Sequence, residues 1–226
     1  MGTPIFERVK WGQGVSPRGQ SPIERRKKMK LLAYKVDWKT LLKKGIPSQN
    51  DDFGIFLITG YQGSGKTYFA IYTMEKTFKD KIIYTNIKTY KSDRNQIRYF
   101  DTIEEIEQNY EDNCIFLIDE LSKKYSKNCP QDMRFYSWLQ QSRKHSRYVY
   151  MITQEYIQIP TWLRGVANLV YTTSKIKFLP LFQTTLGVPY LNDDMEWSLD
   201  PISTLIYKRN LDIAHKYDTL ESINRL

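Results

Sequence analysis

Ile55-Phe56-Leu57-Ile58-Thr59 runs directly into Gly60-Tyr61-Gln62-Gly63-Ser64-Gly65-Lys66-Thr67, and Tyr68 to Met74 follow without a break. Five apolar or β-branched residues in a row read as a buried strand, and the stretch after Thr67 can continue as a helix. The eight residues between them fit the pattern G-x-x-x-x-G-K-[ST]. Glycines at these positions let backbone N–H groups converge on phosphate oxygens at the start of a helix. The Lys66 ammonium then reaches the β- and γ-phosphates, and the Thr67 hydroxyl helps to hold Mg²⁺. The implied ligand is ATP with Mg²⁺, bound by Gly60, Gly63, Ser64, Gly65, Lys66 and Thr67.

A second element completes such a site. Cys114-Ile115-Phe116-Leu117-Ile118 is an apolar strand that ends in Asp119-Glu120, some fifty residues after the glycine loop. Asp119 would hold the metal together with Thr67, and Glu120 would orient and polarise an attacking water. The adjacent glutamate separates hydrolysis from phosphoryl transfer, because a nucleotide kinase needs no water activator. A third strand, Tyr148 to Thr153, ends at Gln154. Lying between the other two, it would put Gln154, with Thr153 as second choice, near the γ-phosphate. Arg143 is the first candidate for a guanidinium that stabilises transition-state charge from a neighbouring subunit, ahead of Arg147 and Arg164. Catalysis is thus assigned to Glu120, Lys66, Gln154 and Arg143. His145 has no partner visible in sequence.

The whole pattern predicts an α/β fold of the P-loop NTPase type: a mainly parallel sheet flanked by helices, RecA/ASCE-like. Strands are expected at 55–59, 81–85, 114–118 and 148–153, with helices at 65–79, 102–109 and 131–144. A further strand is expected at 169–172, an irregular excursion or hairpin at 178–202, and a last strand at 202–208. At 226 residues with 41% hydrophobic composition, the chain can bury one full core. No apolar run approaches the roughly 18 residues of a membrane span, and Glu7, Arg8 and Lys10 interrupt any signal-like start. A cytoplasmic protein, in the host cell or associated with a virion, is expected. Cys114 and Cys129 are too few for a disulfide framework and are expected to be reduced.

The net charge of +9 is unevenly placed. Residues 1–50 hold 12 of the 34 Lys/Arg and 3 of the 25 Asp/Glu, which leaves 22 of each for residues 51–226. The division expected is a basic N-terminal arm at 1–50, disordered in part or ordered by a partner, and an ATPase domain at 51–226. Within the arm, residues 23–46 carry apolar positions suited to a short helix, or a strand and a helix, ended by Gly45 and Pro47. An excess of this kind suits DNA phosphates, or another acidic partner, without sequence choice.

Taken in order, the glycine loop, Tyr84-Thr85-Asn86-Ile87, Ile118-Asp119-Glu120, Ser142-Arg143-Lys144-His145, Ile152-Thr153-Gln154 and Pro160-Thr161-Trp162-Leu163-Arg164 resemble the Zot-like ATPases of phages. These belong to the FtsK/HerA superfamily of DNA-pumping motors, and the similarity covers about residues 53–175. Tyr217-Asp218-Thr219 is also similar to the family. The resemblance implies a homo-oligomeric ring, commonly of six or five subunits, that couples ATP hydrolysis to DNA movement. It places nucleotide binding on Gly63, Gly65, Lys66 and Thr67, catalysis on Glu120 and γ-phosphate sensing on Gln154. Zot-like proteins of filamentous phages carry a membrane-spanning segment after this core, whereas this sequence shows none. That departure favours a genome-packaging motor, with capsid or portal-vertex proteins as partners, over a membrane-anchored extrusion role. The alternatives are a Zot-like assembly or extrusion ATPase and an ATP-gated assembly switch in which residues 1–50 bind protein instead of DNA; a nucleotide kinase would share the P-loop and the size, but no arginine-rich lid segment stands out in the second half.

Overall fold

The computed structural model describes residues 53–108, 111–176, 181–192, 194, 196–208 and 210–217. The basic arm, including the elements expected at 23–46, and Asp218-Thr219 lie outside the described residues. Among the described residues, eight strands form one sheet: β1 (Gly54–Thr59), β2 (Ile82–Thr85), β3 (Gln96–Tyr99), β4 (Ile115–Ile118), β5 (Tyr148–Ile152), β6 (Leu169–Lys175), β7 (Leu181–Leu191) and β8 (Trp197–Lys208). The α-helices among the described residues are α1 (Lys66–Thr77), α2 (Ile103–Glu107), α3 (Met133–Gln140), α4 (Thr161–Val166) and α5 (Leu211–Ala214).

The strand order is β3-β2-β4-β5-β1-β6-β7-β8. From β3 to β6 every pairing is parallel, and β7 and β8 add an antiparallel hairpin at one edge. The sheet is therefore mixed. Strand β5 lies between β1 and β4, as the ASCE-like reading requires.

The apolar strands are buried on both faces because each face carries its own core. Phe56, Ile58, Ile115, Leu117, Tyr148, Tyr150 and Ile152 pack with α1 through Phe69, Ala70, Ile71 and Met74. Their neighbours in sequence, Ile55, Leu57, Phe116, Ile118, Val149 and Met151, pack on the other face with Ile103 and Ile106 of α2, Phe135, Trp138 and Leu139 of α3 and Leu163 of α4. This alternation follows from the period of two in a strand. Continuous apolar runs in sequence correspond to strands covered twice.

Two elements depart from the local pattern. Strand β3, Gln96-Ile97-Arg98-Tyr99, has no fully buried position, so hydrophobic patterning does not announce it. The segment expected as an irregular excursion or hairpin is a long hairpin, and β8 begins at Trp197, not at 202. An aromatic group holds the hairpin to α1: the Tyr207 ring lies 6.1 Å from Tyr68, 6.1 Å from Tyr72 and 5.9 Å from Phe182. Strand identity here comes from packing and not from alternation.

Further along α1, the buried Glu75 accepts hydrogen bonds from Tyr90 Oη at 2.8 Å and from Lys216 Nζ at 3.1 Å. Lys216 also reaches Asp93 at 2.7 Å. This network fastens the segment after α5 to α1, and burial beside Glu75 raises the Tyr90 phenol above its ordinary value. Cys114 and Cys129 are free thiols, and burial pushes Cys114 up to about 11. Among the described residues, no helix is long and apolar enough to cross a membrane.

Tyr207→Ala should destabilise the protein by about 3–5 kcal/mol, because it empties the contact between the hairpin and α1. Ile202→Ala, at a position 57% exposed, should change stability by less than about 0.5 kcal/mol. Urea denaturation of the two variants checks this, and equal midpoints would refute it.

Candidate nucleotide-binding site

The glycine loop leaves β1 at the C-terminal edge of the sheet and enters α1. Gly60 sits at φ 147°, where an added Cβ would meet the Thr173 carbonyl oxygen at 2.3 Å. Gly65 sits at φ 89° as the residue before α1, where a Cβ would meet the Phe182 ring at 2.8 Å. Both backbone shapes favour glycine, and close neighbours exclude a side chain as well. The first turn of α1 has no side-chain cap and no acidic residue. Its N–H groups and the positive end of its dipole are thus left for an anion.

Neighbouring strands anchor the loop. The Gly60 N–H donates to the Gln154 carbonyl at 2.9 Å, which ties it to the end of β5. Ser64 Oγ and Thr173 Oγ1 are 2.8 Å apart, and Thr173 Oγ1 donates to the Thr59 carbonyl at 3.1 Å. The buried Ser64 side chain therefore fixes the loop against β6.

Lys66 curls back over the loop, with Nζ donating to the carbonyls of Gly60 at 2.8 Å and Tyr61 at 3.0 Å. Burial lowers its pKa, against the opposing charges of Asp119 and Glu120. Thr67 Oγ1 donates to Asp119 Oδ2 at 3.1 Å, so the two residues expected to share a metal stand side by side. Asp119 Oδ1 accepts from the Glu120 N–H at 2.8 Å. The Asp119 residue keeps some accessible surface, but its carboxylate lies deep, and burial pushes it up to about 6 from an ordinary value of 3.8. The nearby charge of Glu120 adds to that shift, whereas hydrogen bonds and Lys66 oppose it.

Glu120 adopts a left-handed backbone, φ 56° and ψ 42°, which is uncommon for a residue with a side chain. Its carboxylate pairs with Lys123. Asn86, at the end of β2, bonds twice to the Asp119 backbone: Oδ1 accepts from the N–H at 2.8 Å and Nδ2 donates to the carbonyl at 2.9 Å.

These groups line a cavity of about 780 Å³, bordered by Lys66, Thr67, Asn86, Asp119, Glu120 and Thr153 among others. Gln154 also lines it, with its side chain exposed. Thr153 is buried, and its Oγ1 makes no hydrogen bond among the described residues. A buried hydroxyl without a partner calls for an explanation, and a polar ligand in the cavity would supply one. Mg²⁺ prefers a few hard oxygen ligands and retains several waters. The Thr67 hydroxyl and Asp119 carboxylate fit it, and phosphate oxygens would supply further ligands. Among the described residues, no group of three or more His, Cys, Asp or Glu offers an all-protein metal site.

The arginine candidates separate clearly. Arg147 is fully buried, with Nε donating to the Glu111 carbonyl at 3.0 Å and the guanidinium 5.4 Å from the Trp138 ring. Arg164 is also buried, and its Nε donates to the Ile159 carbonyl at 3.0 Å. Both side chains are committed to the protein interior. Arg143 is exposed, 5.7 Å from the Phe53 ring just ahead of β1. It sits at the edge of the sheet opposite the glycine loop, so it does not join this cavity. His145, without a visible partner in sequence, pairs with Asp112 at 2.6 Å. Sequence reasoning missed the Ser64–Thr173 contact, Phe182 beneath Gly65, and Lys123 and Tyr217 as cavity residues. Apart from Lys123, which stands three residues after Glu120 and pairs with it, none has a local signal, since each depends on which distant segments become neighbours.

Gly65→Ala should weaken the binding of a nonhydrolysable ATP analogue by at least about tenfold, through strain at positive φ and collision with Phe182. Calorimetric titration tests it, and unchanged affinity would count against the loop as the phosphate site. The buried Asp119 carboxylate makes a second prediction. Its folded value lies above its unfolded one, so the cost of burying the charge is present in full above about pH 6 and is relieved as pH falls towards 4. Without Mg²⁺ and nucleotide, Asp119→Asn should be more stable than wild type at pH 8 by about 2 kcal/mol. The gap should narrow as pH falls below 6 and close towards pH 4, as read from thermal melts.

Comparison with known proteins agrees with this geometry. The profile of the family described as zonular occludens toxin (Zot) matches residues 54–197. No curated protein sequence matches the chain. Among solved structures, the N-terminal domain of zonular occludens toxin from Neisseria meningitidis superposes with a TM-score of 0.54 at 18% identity, covering 73% of this chain and 98% of that one. The RadB recombinase gives 0.50 at 14% identity, covering 75% and 91%. The genome packaging NTPase B204 from Sulfolobus turreted icosahedral virus 2, solved in complex with ATP-gammaS, gives 0.48 at 13%, covering 67% and 99%. With the family profile spanning more than half of its length, the chain belongs to the Zot family, and its fold is that of the P-loop ATPases.

Proposed function

We propose that this chain hydrolyses ATP to move DNA, as a viral or phage genome-packaging motor. The observation that carries the hydrolytic part is the placement of β5 between β1 and β4, which brings Thr67, Asp119, Glu120, Thr153 and Gln154 to one cavity. On binding, the loop amides take the phosphates, and Lys66 Nζ exchanges the carbonyls of Gly60 and Tyr61 for phosphate oxygens. Thr67 and Asp119 hold Mg²⁺, which when bound neutralises phosphate charge. Glu120 leaves Lys123, orients a water and takes its proton as the new bond to the γ-phosphorus forms. The bond between that phosphorus and the bridging oxygen breaks, which gives ADP and phosphate. Gln154 and Thr153 sense the γ-phosphate, and Arg143 acts on the site of a neighbouring subunit in a homo-oligomeric ring.

The DNA part rests on charge. The excess of basic residues in 1–50 suits a sequence-independent hold on phosphates, and capsid or portal-vertex proteins would be further partners. A second reading, an ATPase that drives phage assembly or extrusion, is favoured by the family match.

Steady-state hydrolysis with and without DNA at two salt concentrations distinguishes the two. A motor on DNA should be stimulated by it, less so at high salt, and Glu120→Gln should lower turnover by about 10²–10⁴-fold. Turnover indifferent to DNA would shift the reading to assembly or extrusion. Turnover unchanged in Glu120→Gln would remove Glu120 from the role of water activator.

A further inference from the structure

The parallel pairing of β2 with β4 runs from Ile83 with Ile115 to Thr85 with Leu117, and no backbone pair continues it past that point. Beyond it the side chain of Asn86 takes over. Its carboxamide presents an acceptor to the Asp119 N–H at 2.8 Å and a donor to the Asp119 carbonyl at 2.9 Å, the same two bonds that a strand neighbour would offer. Asparagine is suited to this because its side chain carries an acceptor and a donor in one plane, as the peptide group does.

The two bonds fall on the peptide units on either side of Asp119. One fixes the residue that meets Thr67 at 3.1 Å, and the other fixes the peptide that leads into Glu120 at φ 56°. A left-handed backbone is strained for glutamate and persists only where neighbours hold it. Asn86 is one such neighbour. Just beyond it, the Ile87 N–H donates to Thr85 Oγ1 at 3.1 Å, and Lys88 pairs with Asp101 at 2.7 Å, so the turn that carries Asn86 is itself braced.

We infer that Asn86 is a positioning residue that sets both Asp119 and Glu120 through the Asp119 backbone, touching neither carboxylate. The inference rests on the hydrolytic reading for its catalytic half. Its metal half stands without it, because placement of Asp119 controls how Mg²⁺ supports nucleotide binding whether or not turnover follows.

The test uses the full chain with Asn86→Ala and Asn86→Asp, the latter keeping an acceptor for the Asp119 N–H while losing the donor. Affinity for a nonhydrolysable ATP analogue is measured across Mg²⁺ concentrations and in EDTA, alongside steady-state kinetics and thermal melts. Asn86→Ala should raise the Mg²⁺ concentration for half-maximal binding about tenfold, leave binding in EDTA within about twofold, and lower kcat at least about tenfold with KM little changed. Combined with Glu120→Gln, Asn86→Ala should add little further loss of kcat, since both act on one group. If wild type turns nothing over, the hydrolytic reading fails, and the Mg²⁺ titration still decides the placement of Asp119. A folded Asn86→Ala whose Mg²⁺ dependence and kcat match wild type would overturn the inference. So would a variant that only melts earlier, with Mg²⁺ dependence unchanged. If Asn86→Ala does not fold, Asn86→Asp carries the same two outcomes.

Discussion

Strands β1 and β5 pair in parallel from Gly54 with Tyr148 to Ile58 with Ile152, and β5 pairs with β4 on its other side. Every residue of these three strands is buried. A strand buried on both faces cannot slip by one residue without exchanging its two cores, so their relative register is held by all of the packing at once. Because the three run in the same direction, their C-terminal ends arrive at one edge. There the glycine loop, Asp119-Glu120 and Thr153-Gln154 emerge together, and ligands of open α/β sheets bind at that edge.

The connections made at the edge then refine the site. The Gly60 N–H on the Gln154 carbonyl, and Ser64 on Thr173, attach the loop to both neighbouring strands of β1. Asn86 does the same for Asp119 from the end of β2, the neighbour of β4. The loop glycines keep their positive φ values under this restraint, and Glu120 keeps its left-handed backbone beside it. Strain and fastening occur together here, as expected where a binding geometry is held in advance. The hairpin contributes from the far side, since Phe182 lies against Gly65 while Tyr207 packs on the helix that begins there.

Electrostatics divides the charged residues by depth. Arg147 and Arg164 lie inside with backbone carbonyls and aromatic faces around them, which suits a planar guanidinium that is weakly hydrated. From sequence, a cluster such as Arg143-Lys144-His145-Ser146-Arg147 gives no sign of which member is buried. Burial follows from the position of Arg147 one residue before β5, whereas Arg143 falls in the exposed turn after α3. Chemical type placed these residues on the list of candidates, and only their depth separated them.

The sequence by itself determined the glycine loop, the apolar strands β1, β4 and β5, the helix after the loop, and the Asp119-Glu120 pair. Each is a pattern within a dozen residues, and each is enforced by local sterics or by burial on both faces. Strand β3 and the full length of β7 and β8 were not legible, because edge strands and a hairpin lying on a helix have no burial pattern of their own. The partners of Ser64, Asn86, Gly65 and His145 were decided by tertiary structure alone. They lie between 33 and 117 residues away, and nothing in a linear pattern says which strand will lie beside which. The chain specifies what chemistry stands at the sheet edge, and the strand order specifies what holds it there.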